Sequence, residues 1–197
     1  KIFLYRDPVS TFWSNIKLNR FNPFYNSLAY HWNKKIEPGF GRGIAINEFM
    51  VKNTSKGRDN FGEATSIVAM IAEIEISKKG RLVINKIDCK VDCGICINPN
   101  QVISQAEGGI MMGISMLLNE EITFENGMVV QSNYDDYKIA KMKNTPEMNI
   151  SIVKSSLPPA GIAEAVVAPV MPAITNAIFA ATGKRIRKLP IGKQKLV

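Results

Sequence analysis

Glu164 stands in "PPAGIAEAVVAP", where Pro158, Pro159 and Gly161 shape the approach and residues 162, 163 and 165–168 are apolar. A carboxylate in apolar surroundings holds its proton to higher pH, which makes it a better general base. The same residue would serve equally as an exposed or capping glutamate ahead of a helix that begins near Pro169, and the local residues do not choose. Gln105 is the second group with chemical use. It shares a helix face with Gly108, Gly109 and Met112, and the two glycines leave backbone bare beside its amide. Each glycine costs a helix interior about 1 kcal/mol relative to alanine, so an adjacent pair implies a close neighbour. That neighbour is either a flat ligand whose edge the amide reads as donor and acceptor, or a closely packed sheet. The third group is "CKVDCGIC", which holds Cys89, Cys93 and Cys96, all the cysteines of the chain. At C-x3-C-x2-C spacing three thiolates can wrap an iron–sulfur cluster from a loop; the ordinary alternative is small buried thiols in a reduced protein. Three cysteines do not make a paired disulfide framework.

These groups need elements to hold them. In "INPNQVISQAEGGIMMGISMLL", Asn98 is a good N-cap and Pro99 suits the first helical position. Ile103, Ala106, Ile110, Ile114 and Leu117 recur at spacings of three and four, which predicts an amphipathic helix over 99–118. Upstream, "SIVAMIAEIEI" and "RLVINKIDCKV" read as strands joined by the turn "SKKG", placing Cys89 in a strand and Cys96 in the turn before the helix. "EITFENGMVV" is a hairpin around Asn126-Gly127, and "PEMNISIVKS" is a further strand. "LPPAGIAEAVVAP" is expected as a loop, "APVMPAITNAIFAATG" as a helix ending at Gly183, and "RIRKLPI" as a short last strand. "GFGRGIAI" reads as a glycine-rich turn entering a short apolar run. It lacks the full G-x-G-x-x-G pattern and a strand before it, which argues against a nucleotide loop. "KNTSKGRDNFGE" is expected as a surface loop. Residues 1–40 form a helical or irregular lead-in with Asp7 as a candidate cap, and the lone His31, among aromatics, is given no role.

The pattern is α+β: a mixed sheet with hairpins and packed helices, in a single domain over 1–197 whose core runs from 41 to 197. Apolar content of 46% and charged content of 21% exclude collagen-like, disulfide-scaffold and disordered classes. The longest apolar stretch, 165–182, is interrupted by Pro169, Pro172 and Asn176 and reads as a buried helix, not as a membrane span of about 20 residues. Net charge is +8, with basic residues gathered in "GKRIRKLPIGKQK". No aromatics are interleaved for base stacking, so a solvated basic face is favoured over a nucleic-acid site. The chain opens on Lys1 with no charged-then-apolar leader, as a fragment or trimmed product would.

"VDCGICINPNQVISQAEGGIMMGIS" resembles the D-C-G-x-x-x-N-P…Q-x-E-G-G signature of the large molybdenum subunit in the xanthine dehydrogenase and aldehyde oxidase family. The likeness continues through "GMVVQSNYDDYKIAKM" and "PPAGIAEAVVAPVMPAITNAIFAATGKRIRKLP", and more loosely through "DPV" and "GRGIA". Its final "NAIFAATGKRIRKLP" is similar to the isoquinoline 1-oxidoreductase β-subunit type. The resemblance implies that "DCG" is a structural turn and that iron–sulfur clusters reside on another subunit or domain. The cysteine spacing would then be an accident; a radical-SAM cluster would also need a barrel that this pattern lacks.

The resemblance further implies a molybdenum hydroxylase that oxidises an aldehyde or N-heterocycle with water as oxygen source. Glu164 would be its catalytic base. Gln105, Gly108, Gly109, Gly161, Ile162 and Ala163 would line the molybdopterin, the cytosine dinucleotide form being one version of it, and no residue would ligate the metal. Implied partners are the upstream part of the same molybdenum subunit, a 2Fe-2S electron-transfer subunit and a small-molecule substrate, with no nucleic acid and no membrane span. This chain would be the C-terminal portion, one wall of the site, inactive and without cofactor when alone. Two positions depart from the family pattern: Ala163 replaces a glycine before the glutamate, and Ala165 replaces a proline after it. A basic nucleic-acid-binding module and a non-catalytic remnant are the competing readings.

Overall fold

The computed structural model describes residues 37, 39–51 and 64–197. The lead-in before residue 37, with Asp7 and His31, and the loop expected in "KNTSKGRDNFGE" lie outside the described residues. That first strand, β1 (Phe40–Val51), pairs antiparallel with β2 (Ala64–Ile76), which pairs antiparallel with β3 (Leu82–Asp92). β2 carries a run of β-branched and small apolar residues with Val68 through Ala72 fully buried, the pattern of a strand covered on both faces. Its turn into β3 is closed by the Gly80 N–H donating to the Ser77 carbonyl (2.8 Å), with Gly80 at φ +78°.

Helix α1 (Pro99–Leu118) follows, and Asn98 caps it by accepting from the Gln101 N–H (3.3 Å). Ala106, Ile110, Ile114 and Leu117 are fully buried and Ile103 half-buried, so the stripe read from the sequence is the core face. Two short strands, β4 (Phe124–Glu125) and β5 (Met128–Val129), turn through Asn126 and Gly127, both at positive φ, as Asn-Gly permits. β6 (Glu147–Ile152) then returns parallel to β3, giving the sheet order β1-β2-β3-β6 and making it mixed. α2 (Ala163–Thr182) closes the core, packed on β1, β2 and α1, and ends at Gly183 in the left-handed conformation (φ +73°). α2 is long and apolar enough to cross a membrane, but its apolar side is the one turned into this core.

Three expectations need correction. In "GFGRGIAI" only Gly39 is a turn residue, and the rest lies within the twelve-residue strand β1. A Cβ on Gly41 or Gly43 would stand 2.1 Å from the carbonyl oxygen of Ala177 or Ala173, so the glycines let the α2 backbone lie directly on the strand. α2 begins at Ala163, six residues earlier than the sequence suggested, with Pro169 and Pro172 inside it. "RIRKLPI" forms no strand. Residues 184–197 run back as a strap: Ile191 and Gly192 donate backbone N–H groups to the carbonyls of Leu117 and Leu118 (2.7 and 3.1 Å), while Ile191 and Leu196 are buried. Arg185 stacks over the Phe179 ring (3.4 Å to its centre), and Lys184, Arg187, Lys188, Lys193 and Lys195 face solvent.

Candidate functional site

The segment that delivers Glu164 is anchored on the turn after β3. Asp92 accepts the Gly94 N–H through Oδ1 (3.0 Å), folding Asp92-Cys93-Gly94 into a tight turn with Gly94 at φ +72°. A Cβ on Gly94 would meet the Pro158 carbonyl oxygen at 2.1 Å. Glycine there satisfies two constraints at once, backbone twist and close approach. Ile95 donates its N–H to Leu157 (2.9 Å), and Ala160 donates to Cys93 (2.9 Å), so the turn and the proline loop are laced together by their backbones. From the sheet, the fully buried Ser66 hydroxyl donates to the Gly161 carbonyl (2.5 Å), and the buried Asn47 amide donates to the Ala165 carbonyl (3.0 Å).

Glu164 therefore sits between two held carbonyls, in the first turn of α2. Its side chain is exposed, whereas Ala165 and Val166 turn into the core. The expected apolar enclosure is corrected here: Ile162, Ala165 and Val166 turn into the core, and Ala163, Val167 and Ala168 do not shut Glu164 off from solvent. An acidic side chain is well placed against the positive end of a helix, so the location alone also suits a plain helix-start residue. Ile162 is the N-cap residue and its side chain is buried, leaving only its backbone to face a ligand. Ala163 is exposed at the first helical position. Gly161 is exposed, and a Cβ on it would meet nothing within 4 Å.

The helices bring the second set of residues to the same edge. Gly109 is buried, and a Cβ there would lie 3.4 Å from the Ala163 carbonyl oxygen and from Val166. Gly109 thus serves helix–helix packing, as does Gly113, whose Cβ would press on Val170 at 2.7 Å. Gly108 differs: it is exposed with open space around it. Gln105 and Met112, each one turn away, are exposed on the same strip of α1. Gln105, Gly108 and Glu164 are therefore outward-facing residues flanking one contact, Gly109 against Ala163.

The cysteines offer little as ligands. Burial in β3 pushes the Cys89 thiol up to about 12, and burial also raises Cys93, helped by the neighbouring Cys96. Cluster ligation needs thiolates, and a core thiol that resists ionisation is a poor source. Among the described residues, no group of three His, Cys, Asp or Glu side chains is arranged to hold a metal ion. A separate open cavity of about 680 Å³ lies at the other end of α1, lined by Leu118, Arg81, Lys138, Lys141 and Ile191 among others. It contains none of Gln105, Gly108, Gly109, Gly161, Ile162, Ala163 and Glu164.

Asn47 and Ser66 were not anticipated. Their signal was present all the same, as polar side chains inside the apolar strands "GIAINEF" and "ATSIVAM", where a buried polar group needs a partner.

Residues 27–146 match the family model of the molybdopterin cofactor-binding domain. The β-subunit of isoquinoline 1-oxidoreductase from Brevundimonas diminuta is 33% identical over 125 residues, which is 63% of this chain and 16% of that protein. One of the subunits of nicotinate dehydrogenase from Pseudomonas putida is 28% identical over 158 residues, 79% of this chain and 13% of the relative. The chain thus spans about one sixth of the length of such relatives. Among solved structures, quinoline 2-oxidoreductase from Pseudomonas putida 86 shares the fold with a TM-score of 0.64 at 24% identity, covering 70% of this chain and 19% of that one.

Proposed function

Since the chain belongs to the molybdopterin-binding domains of the xanthine dehydrogenase and aldehyde oxidase family, we propose that it is the C-terminal portion of a molybdenum hydroxylase subunit. In that role it supplies one wall of the pterin site and a general base, Glu164. The observation that carries this reading is the packing of Gly109 on Ala163, which sets the Gln105–Gly108 strip and Glu164 on either side of one helix contact.

The residues fit the group on this one side. Gln105 offers an amide donor and acceptor, and Gly108 leaves the helix backbone beside it uncovered, which suits a flat heterocycle lying against α1. Met112 is 57% exposed and Ile97 81%, so the same flank of the chain presents apolar surface that the remaining five-sixths of such a subunit would cover. The cofactor, when bound, supplies the oxidising centre that takes two electrons from the substrate carbon. Glu164 accepts the proton of the attacking oxygen, a task that needs a carboxylate held at a fixed place and open toward the substrate. The Ser66 and Asn47 hydrogen bonds provide the fixed place. Names of the relatives favour an aromatic N-heterocycle as substrate, with an aldehyde the other class. A 2Fe-2S subunit is the partner that would carry electrons away.

The test is made in the complete subunit. Glu164→Gln keeps shape and removes the base, so turnover falls by about 10²–10⁴-fold at unchanged molybdenum content. Gln105→Ala lowers molybdenum content first, because it holds cofactor and moves no proton. Near-native turnover of Glu164→Gln at full molybdenum content would return Glu164 to the role of a helix-start residue.

A further inference from the structure

Pro169 lies seven residues into α2. A proline inside a helix has no N–H to give the carbonyl four residues earlier, and its ring pushes that carbonyl aside. Here the carbonyl belongs to Ala165, a fully buried residue directly after Glu164. A buried carbonyl deprived of its helical donor is destabilising unless another group supplies one. Asn47 of β1 supplies it: its side-chain amide donates to Ala165 at 3.0 Å, across 118 residues of sequence. Asn47 is itself 7% exposed and lies on the β1 face that carries Gly41, Gly43 and Ala45, the face against which α2 rests. The strand thus reaches the helix closely through its glycines at one end and through a hydrogen bond at the other.

We infer that Asn47 is a positioning residue: it replaces, from the sheet, the helix N–H that Pro169 lacks, and so fixes the first turn of α2 that carries Glu164. The inference rests on the reading of Glu164 as base, but its physical core does not. A helix tethered by an ordinary amide at position 169 would be free to slide or fray at its start. Tethering by a side chain of the sheet sets the height and rotation of that turn against β1.

The pair can be tested as a cycle, because Pro169→Ala restores an N–H at the right place. In the 197-residue chain, amide exchange across residues 164–170 is measured for Asn47→Ala, Pro169→Ala and the double variant. Asn47→Ala is expected to speed exchange on the order of tenfold in the native background. In the Pro169→Ala background the same substitution should change exchange by less than about twofold, since the helix then bonds itself. Should Asn47→Ala alone fail to fold, recovery of folding by Pro169→Ala is the same expected result. Equal damage in both backgrounds overturns the substitution of donor. In the complete subunit, Asn47→Ala should lower kcat about tenfold with KM and molybdenum content unchanged, and Pro169→Ala should restore it. If the exchange cycle behaves as expected and Glu164→Gln is inactive, yet Asn47→Ala turns over normally, the positioning role is wrong while the base stands. If Glu164→Gln is active, the positioning role loses its object, and the exchange cycle still reports the tether.

Discussion

Along the seam between β1 and α2, a methyl group built on Gly43 lands 2.1 Å from a backbone oxygen of the helix and 2.2 Å from a backbone nitrogen. On the outer strip of α1, a methyl built on Gly108 meets nothing within 4 Å. Both glycines lie inside regular elements, where each weakens the element relative to alanine. At the seam the loss is offset by bringing two backbones of this chain together. On the strip no described residue takes up the room. The contrast separates glycines that the fold needs for close packing from a glycine that packing within the described residues does not explain, and adding one carbon tells them apart.

The largest effect belongs to Gly43. Its neighbours are backbone atoms that cannot rotate away, so Gly43→Ala must lift α2 from β1 and is expected to cost about 3 kcal/mol, roughly 6–12 °C in melting temperature. Thermal unfolding followed by circular dichroism measures it; a shift below about 2 °C would show that the seam has slack. Gly94→Ala comes next, at about 2 kcal/mol from left-handed strain, aggravated by the Pro158 carbonyl. Its signature is local: amide exchange should quicken at residues 157–161 before the rest of the chain. Uniform loosening instead would mean that the turn supports the whole sheet and not the Glu164 loop.

Gly108→Ala is the smallest effect and carries the opposite sign. With open space around it, the added methyl should raise stability by about 0.5–1 kcal/mol. In the complete subunit the same change should lower molybdenum content, as the methyl intrudes where the pterin would lie. A stability gain with normal molybdenum content would break the comparison, leaving the strip bare for no ligand.

Much of the fold was written in local signals. Asn98-Pro99, the stripe from Ala106 to Leu117, Asn126-Gly127 and Gly183 each act within a few residues, and each is where the sequence placed it. The failures share a cause. β1 resembled a turn because its glycines answer to Ala173 and Ala177, more than a hundred residues away. The start of α2 resembled a loop because its prolines and Gly161 read as breakers, whereas the Ala165 carbonyl that Pro169 cannot serve takes its donor from Asn47, 118 residues away. At the candidate site, the bareness of Gly108 was legible, but Gly109 proved to belong to helix packing. The exposure of Glu164 was not legible either, since it depends on which face of α2 is packed, and only Ile162, Ala165 and Val166 among its near apolar neighbours turn into the core.

The strap that covers the end of α1 has a consequence in time. A ribosome makes Leu117 and Leu118 well before Ile191 and Gly192, whose N–H groups their carbonyls accept. At about 5–20 residues per second, the nascent chain spends several seconds with that helix end facing water. For the earlier part of that interval β3 also stands without β6, its parallel neighbour, and the core lacks α2. Satisfaction of the α1 end is thus coupled to synthesis of residues 191 and 192, and a nascent chain stalled short of them would leave the Leu117 and Leu118 carbonyls without those donors.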